Sequence, residues 1–95
     1  MTIEKAIQQK LGTIVDVRTP AEFMGGHVAG SKNIPLQEVP ESLSALQNLP
    51  SPLILCCASG NRSGQAQRFL AEHGISSING GPWTEVNYLV AQFNA

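Results

Sequence analysis

The sequence predicts an α/β fold in which a mostly parallel sheet is covered by helices on both faces. Three observations predict it. The runs Thr13–Val17 and Leu53–Cys57 have the length and solid apolar character of strands buried on both sides. Elsewhere, apolar residues recur at helical spacing. The two patterns alternate along the chain, and strands separated by helical crossovers pair in parallel.

The elements follow in order. Ile3, Ala6, Ile7 and Leu11 mark an opening amphipathic helix that ends near Gly12. Thr13–Val17 is the first strand. Thr19-Pro20-Ala21-Glu22 starts a short helix: Thr19 is its N-cap, Pro20 suits the first helical position, and Glu22 completes a capping box. Gly25-Gly26 ends it. Asn33–Leu36 reads as a brief extended segment. Leu36, Val39, Leu43 and Leu46 fall at helical spacing, closed by Pro50 and Pro52. Leu53–Cys57 is the second strong strand. Ala66, Phe69, Leu70 and His73 form one helical stripe, terminated by Gly74. Ile75–Ile78 is a weak strand. Gly80-Gly81-Pro82 restarts a helix carrying Trp83, Val86, Leu89, Val90 and Phe93.

Residues 1–95 are expected to form one domain, a length at which a single core is feasible. A 42% hydrophobic and 14% charged composition excludes a disordered chain. A net charge of −1 provides no basic footprint for nucleic acid and no basic face for a membrane. The longest apolar run is too short to span a bilayer, and the first residues lack a signal-peptide pattern. A cytoplasmic location is expected, with both cysteines reduced.

The chemistry concentrates in Leu53-Ile-Leu-Cys-Cys-Ala-Ser-Gly-Asn-Arg-Ser63. In parallel sheets, reactive groups collect at the carboxyl ends of strands, and Asp16 and Cys57 both sit there. Ala58, Ser59, Gly60 and Asn61 are small, so their amides can line one concavity, helped by a positive φ at Gly60. The helix from about Ser63 adds its positive end, and Arg62 adds a permanent charge. Together these lower a thiol pKa and hold a bound anion. The bland alternative is a buried, inert cysteine.

Cys57-Ala-Ser-Gly-Asn-Arg-Ser63 resembles the active-site loop of rhodanese-type sulfurtransferases, Cys-x-x-Gly-x-Arg-Ser. Ile14-Val-Asp-Val-Arg18, Glu22-Phe23, Gly26-His27-Val28, Gly30-Ser31 and Asn33-Ile-Pro35 match that family's N-terminal pattern in order. Gly80-Gly81 followed by Trp83 matches its C-terminal pattern. The resemblance implies a rhodanese-like three-layer α/β sandwich with about five strands, although the opening strand is poorly marked. It further implies a thiosulfate sulfurtransferase that carries sulfur as a persulfide on Cys57 and passes it to cyanide or a cellular thiol. Ala58, Ser59, Gly60, Asn61, Arg62 and Ser63 would bind the small anionic donor. Arg62 is either a brace for the loop or a clamp on thiosulfate. The thiol acceptor is a small molecule or a thioredoxin-like protein. No cofactor or metal is implied.

Two rivals remain. Counted from Cys56, five residues precede Arg62, the spacing of cysteine-dependent phosphatases and arsenate reductases. Strand alternation puts Leu53, Leu55 and Cys57 on one face and Ile54 and Cys56 on the other, so only one thiol can enter the loop. Phosphate-ester cleavage also wants a general acid, and Asp16 is the sole aspartate. The second rival is a non-catalytic rhodanese-like binding module. Asp16, Arg18, Glu22 and His27 are expected to support the structure. Asp16 accepts amide hydrogen bonds, Arg18 pairs with Glu22, and His27 orders a loop. His73 caps a helix end, Lys32 is a solvated surface lysine, and Trp83, Phe93 and Cys56 pack in the core.

Overall fold

In a computed structural model that describes residues 1–94, the two apolar runs become neighbouring inner strands of one sheet. The elements are α1 (Ile3–Gln8), β1 (Thr13–Asp16), α2 (Pro20–Met24), β2 (Lys32–Asn33), α3 (Leu43–Gln47), β3 (Leu53–Cys57), α4 (Asn61–Glu72), β4 (Ser77–Pro82) and α5 (Trp83–Phe93). The strand order is β2-β1-β3-β4, and every pair is parallel. All five residues of β3 are buried, as a strand covered on both faces requires.

Alternation along β3 divides the interior into two cores. Leu53, Leu55 and Cys57 face Val39, Leu46, Ala66 and Leu70, beneath α3 and α4. Ile54 and Cys56 face Ala6, Ile7, Val28 and Val86, beneath α1 and α5. The result is the three-layer arrangement that the alternating pattern predicts. Burying each of these aliphatic side chains is worth about 1.5–3 kcal/mol.

Three local expectations need correction. The sheet has four strands among the described residues, against about five implied by the resemblance; ahead of β1 stands α1, whose N-cap Thr2 accepts from the Lys5 amide. Leu36–Leu46 is not one helix. Pro40 has no amide hydrogen to continue a helix, and the stretch divides into 3₁₀ turns at Leu36–Glu38 and Pro40–Ser42 before α3. Gly80-Gly81-Pro82 does not restart a helix. It completes β4, and α5 begins at Trp83. There the β3–β4 register shifts: Leu55 pairs with Asn79 but Cys57 with Pro82. A Cβ on Gly80 would lie 2.8 Å from Val86 Cγ2 and 3.0 Å from the Leu55 carbonyl oxygen, so only glycine fits that close approach.

Candidate active site

Cys57 ends β3, and α4 begins at Asn61, so one short turn joins the thiol to a helix N-terminus. Gly60 makes that turn possible. It is the N-cap of α4 at φ +100°, a conformation side chains with a Cβ resist. Its amide donates to Cys57 Sγ at 2.9 Å. The Ser63 amide, one of the unpaired amides in the first turn of α4, donates to the same sulfur at 3.5 Å. Ser63 Oγ lies 3.4 Å from it. Cys57 itself is fully buried, while Ala58, Ser59 and Asn61 are exposed around the turn.

Burial alone pushes the Cys57 thiol up. The Ser63 hydroxyl and the amides of Ser63, Gly60 and Ser59 outweigh it, and the net displacement is downward. Cys56 behaves oppositely. Burial, with the charge of Asp16 adding to it, pushes its thiol up to about 12. The two cysteines are covalent neighbours, yet the pleat gives them different cores and different chemistry.

The supporting residues come together in two ion pairs. Asp16 is fully buried at the end of β1 and receives Arg18 through both carboxylate oxygens, at 2.7–3.0 Å, and through the Arg18 amide at 3.0 Å. The expected Arg18–Glu22 ion pair is not formed. Arg18 reaches only the Glu22 carbonyl, at 3.3 Å, and also binds the Gly26 carbonyl at 2.7 Å. Its guanidinium lies 4.8 Å from the Trp83 ring centroid. The Glu22 carboxylate pairs instead with Arg62 of α4, fork to fork at 2.8 and 3.0 Å. Arg62, with help from Thr19, lowers the Glu22 carboxyl to about 2. The Arg62–Glu22 pair ties the cysteine turn to α2.

The remaining supporting residues make local contacts. The capping box of α2 is complete, with the Glu22 amide donating to Thr19 Oγ1 and the Thr19 amide donating to Glu22 Oε1. His27 stacks on Phe23 and places Nδ1 2.7 Å from the Phe23 carbonyl oxygen. His73 sits 3.0 Å from the Phe69 carbonyl oxygen at the end of α4. Lys32 lies exposed on β2, and Trp83 and Phe93 pack against the Cys56 core.

One residue of the site has no marker in the sequence. Asn79 of β4 accepts from Ser63 Oγ at 2.7 Å and from the Gly81 amide at 3.0 Å, and its Nδ2 donates to the Gly60 carbonyl at 3.2 Å. Only the approach of β4 to the turn reveals it.

The chain is similar to known proteins in sequence and in fold. The family model for the Rhodanese-like domain matches residues 2–84. An uncharacterized Bacillus subtilis protein, YqhL, is 37% identical over 65 residues, which cover 68% of this chain and 51% of that protein. The thiosulfate sulfurtransferase GlpE of Stutzerimonas stutzeri is 34% identical over 73 residues, covering 77% of this chain and 66% of that one. This chain therefore spans between about half and two thirds of the length of those relatives. Among solved structures, a rhodanese with anions from E. coli superposes with a TM-score of 0.69 at 35% identity, covering 77% of this chain and 88% of that chain. With the family match running from α1 through the cysteine turn to the start of α5, the chain belongs to the rhodanese-like domain family.

Proposed function

We propose that this protein is a sulfurtransferase that carries sulfane sulfur as a persulfide on Cys57, with thiosulfate as donor and cyanide or a cellular thiol as acceptor. The observation that carries this reading is Cys57 Sγ held beneath the Gly60 and Ser63 amides at the start of α4. Those donors favour the thiolate, which is the nucleophile. The thiolate attacks the outer sulfur of thiosulfate. A sulfur–sulfur bond forms to Cys57 as the donor's own sulfur–sulfur bond breaks, and sulfite leaves with the electron pair. The acceptor then attacks the outer sulfur and returns the Cys57 thiolate. The enzyme carries one negative charge on sulfur at each stage, and the same amides can serve the thiolate and the persulfide as an oxyanion hole serves an oxyanion.

Sulfite departs as a stable anion, so the reaction needs no general acid, and the site offers none nearby: Asp16 is buried against Arg18. The small uncharged rim of Ala58, Ser59 and Asn61 suits a small inorganic donor. Arg62, held by Glu22, acts by shaping the turn. A reducing cytoplasm is the setting that keeps both thiols free. The phosphatase reading needs Cys56 in the turn, and Cys56 lies in the core on the opposite face of the sheet.

Thiocyanate formation from thiosulfate and cyanide tests the proposal. Wild type and Cys56→Ser are expected to turn over and Cys57→Ser to be inactive, with no turnover of an aryl phosphate. Activity surviving in Cys57→Ser, or Cys57-dependent release of phosphate, overturns it.

A further inference from the structure

We propose that Asn79 is a positioning residue that sets how readily Cys57 ionises, by competing with the Cys57 sulfur for the single hydrogen of the Ser63 hydroxyl. The inference rests on Cys57 as the reactive group.

The orientation of the Asn79 amide is fixed by its neighbours. The Gly81 amide needs an acceptor at 3.0 Å, and the Gly60 carbonyl, which already accepts from the Gly64 amide, can face a donor but not a second oxygen at 3.2 Å. Turned the other way, Asn79 would face donor with donor and acceptor with acceptor. Its Oδ1 therefore faces Ser63 Oγ at 2.7 Å, where only the serine can supply the hydrogen. Ser63 Oγ also lies 3.4 Å from Cys57 Sγ.

A hydroxyl has one hydrogen. While Cys57 is a thiol, every group is satisfied: the thiol donates to Ser63 Oγ and Ser63 donates to Asn79. When the thiol loses its proton to solvent, the thiolate is best served by the Ser63 hydrogen turning to sulfur. No covalent bond changes in that rotation, but the Ser63–Asn79 hydrogen bond is lost. Asn79 therefore favours the neutral thiol and opposes the amides of Gly60 and Ser63. It couples the edge strand of the sheet to the charge state of the nucleophile.

The charged groups around the site are Asp16 with Arg18 at the end of β1, Glu22 of α2 with Arg62 of α4, and Arg68 of α4, whose Nη1 lies beside Gly64 on the side that Asn79 Nδ2 also approaches. Cys56 on β3 stays a thiol, Glu38 on its turn is exposed, and β4 contributes no titratable group. Asn79→Ala leaves all of these charges in place, so its difference from wild type isolates the hydroxyl.

The test is a pH titration of thiolate ultraviolet absorbance, read as the difference from Cys57→Ser carrying the same Asn79 residue. Asn79→Ala is expected to move the Cys57 titration to lower pH, by about three- to tenfold in the ionisation constant. Asn79→Asp keeps both acceptor contacts and adds a negative charge, and is expected to move it to higher pH. With Ser63→Ala present, the effect of Asn79→Ala is expected to vanish. An upward or absent shift in Asn79→Ala overturns the proposal, as does an equal shift with Ser63→Ala. A merely structural role would raise the titration in both Asn79 variants, because the Gly60 amide would drift from the sulfur. Thiosulfate does not enter this measurement, so a negative result here and a failure of the sulfurtransferase reading are separable.

Discussion

Glu22 shows how much of this site depends on a side chain that never touches the sulfur. Arg62 holds its carboxyl at about 2 against an ordinary value of 4.5. A carboxyl lowered in the folded state contributes stability that is complete above its unfolded value and is lost as pH falls through its folded value. The melting temperature of wild type is therefore expected to fall between pH 4.5 and about 2 more steeply than that of Glu22→Gln, as followed by circular dichroism. Parallel slopes for the two proteins would contradict the pairing. Glu22 also marks the edge of what the sequence reveals. Its capping box with Thr19 is local and readable, whereas Arg62 lies 40 residues away and only the fold brings it near. Arg18, four residues before Glu22, is the local choice of partner. Asp16 takes it because a fully buried carboxylate needs a matched cation more than an exposed one does. Asn79 was out of reach for the same reason as Arg62: its partners, Gly60 and Ser63, belong to another element.

At the scale of elements, the turn between β3 and α4 carries the chemistry, and Gly60 is its hinge of conformation. A Cβ there would sit 3.3 Å from Gly81 Cα at a φ of +100°. Gly60→Ala is expected to lose about 1–2 kcal/mol of stability, read from urea denaturation. The larger loss is expected in sulfur transfer, about tenfold or more, because the Gly60 amide moves off the sulfur. Stability falling with full activity retained would show that this amide does not matter. Elements with a strong local signal were readable: β1, β3, α2 with its cap, and α4 with its stripe. β4 was harder. It is polar and glycine-rich, and its glycines serve close packing against Val86 and Leu55 and a register shift, not the start of a helix. The stretch from Leu36 to Leu46 keeps its helical spacing of apolar residues, but Pro40 divides the backbone that carries them.

For the whole molecule, the sheet organises the chemistry by sorting. Three parallel strands deliver Asp16, Cys57 and Asn79 toward the carboxyl end of the sheet, and the pleat assigns each cysteine to its own core. Alternation in five residues shows from the sequence alone that the two cysteines face different cores, because β3 is a regular strand buried on both faces. The number of strands is not legible in the sequence: α1 stands ahead of β1 where the resemblance implies a further strand. No helix among the described residues is long and apolar enough to cross a membrane.

Everything proposed for this protein converges on sulfur held by one cysteine. The most direct measurement is the intact mass of the protein after incubation with thiosulfate, followed by peptide mapping under non-reducing conditions. One added sulfur atom is predicted, located on Cys57, present in Cys56→Ser and absent in Cys57→Ser. An adduct on Cys56, or an unchanged mass in wild type, would contradict it.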